Sequence, residues 1–159
     1  MIRLAEEKDL ARCYEIYEEA KKFMRASGNM KQWAGNYPGD MLTKDVELQR
    51  LFVMEENGKI GACFVFIIGA DPTYALIENG EWKYDSPYGT IHRLATDGSI
   101  KNCMHKCTEF CLTKIRHLRV DTHEDNKPMQ EAAKREGFEY CGIIYVADGT
   151  PRLAYEMVK

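Results

Sequence analysis

Features typical of membrane and nucleic-acid-binding chains are missing from this 159-residue sequence. No apolar run approaches the roughly 20 residues that a membrane-spanning helix needs. Basic residues are not in excess, since 22 Lys and Arg stand against 25 Asp and Glu, so phosphate neutralisation gives little affinity for nucleic acid. Repeats, low-complexity tracts and interdomain linkers are also absent. We therefore expect one domain over residues 1–159, with no membrane or nucleic-acid partner.

The first residues and the cysteines indicate the cellular compartment. The segment Met1–Glu7 is charged and lacks the apolar core and cleavage site of a signal peptide, so we expect a cytoplasmic location. Without a secretion signal, the six cysteines are predicted to be reduced thiols. Cys103, Cys107 and Cys111 recur on one face of a predicted helix, which favours buried packing over metal binding. We expect no bound metal.

The hydrophobic pattern predicts a series of short strands and helices. Asn57-Gly58 between two apolar runs is a strong hairpin signal. A polar and aromatic excursion over residues 71–87 exceeds the usual length of a connection, which is typical of a functional loop. The predicted strands cover residues 2–4, 51–54, 60–68, 88–96, 118–122, 138–146 and 152–158. The predicted helices cover residues 6–24, 43–49 with Thr43 as N-cap, 102–115 and 127–136.

This order of elements predicts an α/β (α+β) architecture with a mixed central sheet of about seven strands, flanked by about four helices. The sheet should be antiparallel at both ends and parallel across one strand-helix-strand unit. Exposed strand edges in such a sheet can pair between chains, so a homodimer is a further expectation.

The stretch from Tyr88 to Phe138 carries a family resemblance. A strand ending in Leu94-Ala95-Thr96 leads through a loop to a helix and a second strand, and Asn126 heads a second helix that ends at Gly137-Phe138. This order resembles the core of the GNAT superfamily of N-acetyltransferases, in a bacterial subgroup. The resemblance implies a GNAT-like domain that transfers an acetyl group from acetyl-CoA to a primary amine. The acceptor is expected to be a small molecule, an amino-acid-like compound or a peptide, and the sequence leaves these alternatives open.

The resemblance also implies which residues bind the coenzyme. In the family, the loop before the first helix takes the pyrophosphate on backbone N–H groups, and the Asn before the second helix contacts the coenzyme. Carried onto this sequence, the coenzyme-binding residues are Leu94, Ala95, Thr96, Ser99, Ile100, Lys101, Asn102, Cys103, Met104, His105 and Asn126.

Three residues of this loop depart from the family pattern of Arg or Gln followed by small residues. Ser99, Asn102 and Met104 occupy those positions, and glycine is the residue that lets a backbone approach a ligand closely. Met104 is expected to place a long side chain near the phosphate. This departure leaves a second hypothesis open, namely a degenerate fold that binds a ligand or protein partner without catalysis.

His92 is the predicted general base, because an imidazole titrates near neutrality and His92 lies two residues before Leu94, whose backbone N–H would polarise the thioester carbonyl. Glu78 and Glu81 are the competing carboxylates, and either could instead anchor a cationic substrate. The general acid of the family, a Tyr after the Asn, corresponds to Ala133 here, so the predicted substitutes are Tyr140 and Tyr145.

Aromatic side chains in the two irregular loops are predicted to form the acceptor pocket. Rigid aromatic surfaces bind apolar or cationic groups, and a carboxylate can anchor an ammonium. The predicted substrate-binding residues are Trp33, Tyr37, Tyr74, Glu81 and Trp82.

Overall fold

A seven-stranded mixed sheet organises the chain, in a computed structural model that describes residues 1–159. The strand order across the sheet is β1-β2-β3-β4-β5-β7-β6. The strands are β1 (Ile2–Leu4), β2 (Leu51–Glu56), β3 (Lys59–Ile68), β4 (Gly89–Thr96), β5 (His117–Thr122), β6 (Glu139–Tyr145) and β7 (Pro151–Val158), and the helices are α1 (Leu10–Ala26), α2 (Met41–Glu47), α3 (Cys103–Leu112) and α4 (Lys127–Glu136). The mixed sheet and the helices confirm the predicted architecture.

The hairpin between β2 and β3 forms at the predicted turn. Asn57 and Gly58 both have positive φ, at 53° and 75°, as a two-residue turn of this handedness requires. Glu56 then pairs with Lys59 across the turn.

The parallel pairing of β4 with β5 is short. Gly89 pairs with Leu118 and Thr90 with Arg119, and no pair follows although both strands continue. On its other side β5 pairs with β7 along its whole length, antiparallel. The backbone of β4 beyond Thr90 therefore keeps hydrogen-bonding groups that β5 does not satisfy, and such groups are sites where a ligand can bind.

Capping residues close in sequence explain the ends of α4, whereas the predicted cap of α2 needs a correction. Asn126 caps α4, because its side chain accepts a hydrogen bond from the Met129 N–H at 3.2 Å, and Gly137 ends the helix with a φ of 99°. The prediction that Thr43 caps α2 is wrong: α2 begins at Met41, and Asp40 precedes it, so Thr43 lies within the helix.

The chain groups into two compact units. The first unit comprises Met1–Phe66 and Arg93–Cys103, and the second comprises Ile67–His92 and Met104–Lys159. Buried residues of the first unit include Ile16, Tyr17, Leu42 and Phe64, and those of the second include Leu118, Ile144, Ala154 and Tyr155. A single domain over the whole chain stays a prediction. No helix has the length and apolarity to cross a membrane.

Candidate active site

His92, the predicted base, lies on β4 in the second unit and is held by a carboxylate. Its Nε2 lies 3.1 Å from Oδ2 of Asp71, which follows β3. Asp71 also accepts hydrogen bonds from the Thr73 N–H at 2.9 Å and the Thr73 hydroxyl at 2.7 Å. Burial raises the pKa of Asp71, but its bonds with His92 and Thr73 outweigh burial and lower the pKa to about 2. An ionised carboxylate therefore orients the imidazole.

A second carboxylate in the same unit lies near this pair. The Tyr74 hydroxyl donates to Oδ2 of Asp121 on β5 at 2.6 Å. Burial raises the pKa of Asp121 above its usual range, although the Tyr74 bond and the charge of His92 act in the opposite direction. Tyr74 itself is 2% exposed. Its ring packs in the interior, which corrects the prediction that it forms a wall of an open pocket.

Trp82, another predicted pocket wall, packs inside the excursion over residues 71–87. Its indole N–H donates to the Tyr74 carbonyl at 2.8 Å. The Arg119 guanidinium lies over the Trp82 ring at 3.9 Å and over the Tyr88 ring at 4.0 Å, a cation–π sandwich. Glu81, the predicted ammonium anchor, is exposed at the surface of the same excursion.

A buried ionic network fastens this excursion to the sheet. Glu156 on β7 is 1% exposed and accepts from the Lys83 backbone N–H at 2.5 Å. Its Oε2 lies 2.8 Å from His117 Nε2 and 3.3 Å from Arg119 Nε. Because His117 Nδ1 also contacts the Ser86 hydroxyl at 3.0 Å, the end of the excursion is held at several points.

Glu78 and Tyr145, both predicted catalytic residues, form a pair. The Tyr145 hydroxyl donates to Glu78 Oε2 at 2.9 Å, and this bond raises the pKa of Tyr145. Backbone bonds of 2.8 Å in both directions join Glu78 to Ile143 on β6. Tyr140, the other predicted acid, is exposed and packs edge-on against Tyr155 with ring centroids 5.7 Å apart.

The predicted coenzyme loop lies mainly in the first unit. Asp97 accepts from the Ser99 N–H at 2.9 Å and forms an ion pair with Arg12, so its negative charge is compensated. Asn102 adopts a φ of 57°, a left-handed conformation that Asn tolerates better than most residues. Ser99, Lys101 and Asn102 are exposed. The loop is therefore open to a ligand and carries one uncompensated cation, Lys101.

The prediction that Met104 obstructs this loop is wrong. Met104 lies on the buried face of α3 and is 7% exposed. On the same face, Cys107 and Cys111 are fully buried, in agreement with the packing interpretation of the cysteine repeat. His105, on the exposed face, places Nδ1 2.8 Å from Glu136 Oε1.

The predicted coenzyme loop packs closely on Gly61 of β3. The Asp97 N–H donates to the Gly61 carbonyl at 3.0 Å. A Cβ at Gly61 would lie 2.3 Å from the Ser99 hydroxyl oxygen and 2.9 Å from the Ile100 side chain. These distances are below van der Waals contact, so the loop rests directly on the glycine.

We predict that Gly61→Ala displaces the loop and weakens coenzyme binding. Overpacking of this kind costs about 1–3 kcal/mol, so the Kd for acetyl-CoA should rise by about 5- to 150-fold. Isothermal titration measures the change. The double variant Gly61→Ala/Ser99→Ala removes the nearest clashing atom and should recover part of the affinity. Equal affinity of Gly61→Ala and wild type would mean that the loop does not bind the coenzyme.

The aromatic loop before α2, in the first unit, is tied to α1. The Trp33 ring stacks on Tyr37 with centroids 5.4 Å apart and packs against Tyr17 at the same distance. Lys21 Nζ donates to the Gly35 and Tyr37 carbonyls at 3.0 and 2.8 Å. The two predicted acceptor-binding aromatics are therefore brought together on a supported loop.

Arg93, which the sequence did not single out, is the most unusual residue of β4. It has a φ of 53°, and its carbonyl accepts from the Tyr17 hydroxyl at 2.6 Å. Its Nη2 donates to Oδ2 of the buried Asp45 at 2.6 Å.

Asp71 is likewise not among the residues predicted from the sequence, although Asp-Pro-Thr after a strand is a recognisable turn signal. No comparable local signal marks Arg93.

Comparisons with known proteins find likeness at the level of structure. No protein-family model and no curated protein sequence matches the chain. A solved GNAT-family acetyltransferase from Streptococcus agalactiae superposes with a TM-score of 0.89 at 29% identity, over 100% of this chain and 95% of that one. A GNAT-family acetyltransferase from Listeria monocytogenes gives 0.72 at 16% identity, over 100% and 94%.

A third solved structure is the ribosomal-protein-S18-alanine N-acetyltransferase from Escherichia coli. It superposes with a TM-score of 0.64 at 13% identity, over 99% of this chain and 92% of that one. At this identity the likeness concerns the fold alone.

Proposed function

Because this chain is a GNAT-superfamily protein with an acyltransferase fold, we propose that it transfers an acetyl group from acetyl-CoA to a primary amine of a small, amino-acid-like acceptor. The observation that carries the proposal is the His92–Asp71 pair on β4, directly after the short pairing with β5 ends. A cytoplasmic location and a homodimer remain predictions.

His92 is proposed to remove a proton from the acceptor ammonium, which otherwise has no lone pair for attack. If the imidazole donates its Nε2 proton to Asp71, Nδ1 is left as the proton acceptor, and the ionised Asp71 stabilises the imidazolium that forms. The free amine then attacks the thioester carbonyl. The backbone N–H near Leu94 is the proposed donor to the oxygen that becomes negative.

The open loop of residues 97–102 supports the assignment of a pyrophosphate-bearing co-substrate. Lys101 and Asn102 have backbone N–H groups with no backbone acceptor, and they lead directly into α3, which begins at Cys103. Such groups bind phosphate, and the Lys101 side chain adds a positive charge.

The departing thiolate requires a proton, and Tyr145 and Tyr140 remain the proposed donors. Tyr145 is exposed, and its hydroxyl donates a hydrogen bond to the Glu78 carboxylate. Tyr140 has an exposed ring and is therefore accessible to a substrate. Phe substitution of each tyrosine separates the two candidates, because only the true acid should lower kcat while leaving the Kd of acetyl-CoA unchanged.

Isothermal titration with acetyl-CoA, with free coenzyme A as the comparison, tests the proposal. We expect saturable micromolar binding, followed by turnover when primary amines are screened. Absence of any binding would overturn the enzyme proposal and favour the alternative of a degenerate GNAT fold that holds another ligand or partner.

A further inference from the structure

Tyr88 attaches the turn that carries Asp71 to the strand that carries His92. The Asp71 backbone N–H donates to the Tyr88 hydroxyl at 2.8 Å. Two positions earlier, the Gly69 N–H donates to the Tyr88 carbonyl at 3.0 Å. Tyr88 immediately precedes β4, and all of these residues belong to the second unit. One residue therefore holds the segment 69–71 beside this strand through both its backbone and its side chain.

The other bonds of Asp71 fix the shape of its turn. Its Oδ1 accepts from the Thr73 N–H and hydroxyl, and its carbonyl accepts from the Tyr74 N–H at 2.9 Å. Such local bonds do not by themselves set the position of the turn relative to His92. Tyr88 and His92 are four positions apart, the spacing at which side chains of an extended chain share a face. The Tyr88 hydroxyl therefore places the Asp71 backbone on the side of β4 to which the imidazole points.

Packing on the Tyr88 ring gives its hydroxyl a defined position. The Arg119 guanidinium lies 4.0 Å from the ring centroid. The rings of His117 and Tyr74 pack against the Tyr88 ring with centroids 5.7 and 6.1 Å apart. The buried Glu156 in turn binds both Arg119 and His117. A residue whose side chain is locked by packing can hold a functional group in place, so the hydroxyl is fixed independently of the turn that it binds.

We propose that Tyr88 is a positioning residue for the proposed base: its hydroxyl holds Asp71 where the carboxylate orients the imidazole of His92. This inference rests on the proposed acetyl transfer. Tyr88 acts through Asp71, because its bond is to the Asp71 backbone. A carboxylate that moves away from the imidazole stabilises the imidazolium less, which slows the removal of the acceptor proton.

Tyr88→Phe tests the proposal, because it removes only the hydroxyl and keeps the ring contacts. One net hydrogen bond corresponds to about a 2- to 12-fold effect, so kcat should fall by about that factor while the KM of the amine acceptor stays unchanged. The acid limb of the kcat/KM pH profile should move to lower pH, because a weaker Asp71 contact favours the neutral imidazole. Asp121, the other carboxylate whose charge interacts with His92, keeps its bond from Tyr74 in this variant.

Tyr84→Phe is the matched control. Tyr84 belongs to the same excursion, and its ring packs on His117 with centroids 5.9 Å apart, but Tyr84 is exposed. Its bond from Arg119 at 2.7 Å goes to the backbone carbonyl, which the substitution leaves intact. Loss of this hydroxyl should leave kcat and the pH profile unchanged. Equal effects of Tyr84→Phe and Tyr88→Phe would overturn the inference.

A double-mutant cycle tests whether Tyr88 acts through Asp71. The effects of Tyr88→Phe and Asp71→Asn on kcat should be non-additive, and the double variant should lose no more than Asp71→Asn alone. Additive losses would show that the two residues act independently and would overturn the inference.

An NMR comparison that needs no turnover distinguishes this inference from the proposed function. The ring C–H signals of His92 are assigned by their loss in His92→Gln. They should move in Tyr88→Phe in the same direction as in Asp71→Asn, by a smaller amount, and should stay in place in Tyr84→Phe. Because phenylalanine keeps the aromatic ring, a lost ring current does not account for the movement.

The outcomes of the two kinds of measurement are separable. If acetyl-CoA does not bind and no amine is acetylated, but the His92 signals move as expected, acetyl transfer is overturned while the placement of His92 by Tyr88 stands. If the signals do not move in an active enzyme, the inference is overturned while acetyl transfer stands.

Discussion

His92→Gln is expected to lower kcat by about 100- to 10,000-fold, the usual contribution of a general base. Glutamine keeps a polar side chain of similar reach but cannot accept a proton from an ammonium. The Kd of acetyl-CoA should stay near that of the wild type, because the proposed role of His92 concerns the acceptor proton and not the coenzyme. Steady-state kinetics and isothermal titration measure the two quantities separately.

Two further variants locate the base. Asp71→Asn retains an oxygen for the Thr73 bonds but removes the charge beside His92, so it should lower kcat less than His92→Gln and alter the pH profile. Glu78→Gln should have a small effect. A large loss in Glu78→Gln together with normal turnover in His92→Gln would transfer the role of base to Glu78.

Glu156→Gln is expected to lower the free energy of unfolding by about 3–5 kcal/mol, the typical cost of removing one partner from a buried ion pair. The variant leaves the buried Arg119 guanidinium without its carboxylate and weakens the bonds to His117 and the Lys83 N–H. Urea unfolding followed by circular dichroism measures the loss.

Glu139→Gln is the matched control for this variant. Glu139 pairs with Glu156 across the β6–β7 ladder, and it binds the Lys83 side chain at 2.7 Å in an exposed ion pair. An exposed pair contributes about 0–1 kcal/mol, so the control should be near neutral. Equal losses in the two variants would mean that the Glu156 network does not stabilise the fold.

The stabilisation by Glu156 should also depend on pH. Burial raises the pKa of Glu156, but the Lys83 N–H, His117 and Arg119 outweigh burial and lower it below the ordinary value of 4.5. The contribution is therefore complete above the unfolded-state pKa and is lost as pH falls through the folded-state pKa. The free energy of unfolding of Glu156→Gln should fall less steeply than that of the wild type over this acid range.

The fold and the family could be predicted because their signals are local. The mixed sheet and the GNAT resemblance, both predicted from the sequence, are confirmed by the structure and by the solved acetyltransferases it resembles. The misplaced start of α2 arose because Thr43 is a good cap by residue type, whereas the preceding loop brings Asp40 to the helix start.

The contacts of the candidate site could be predicted less well from the sequence. His92 was selected by its place on the strand, but its partner Asp71 lies 21 positions earlier, and nothing local joins them. The position of Met104 next to the loop predicts an obstruction, but the orientation of α3 directs its side chain into the core.

By itself the sequence determined the helices and strands of this protein. The signals that specify them act between residues close along the chain, namely apolar periodicity, the Asn57-Gly58 turn and the caps of α4. Only the tertiary structure decided which carboxylate meets His92, that Arg93 adopts a positive φ beside Asp45, and that Glu156 holds the excursion. These outcomes depend on contacts between residues distant in sequence, whose side chains compete for burial and charge compensation once the sheet has formed.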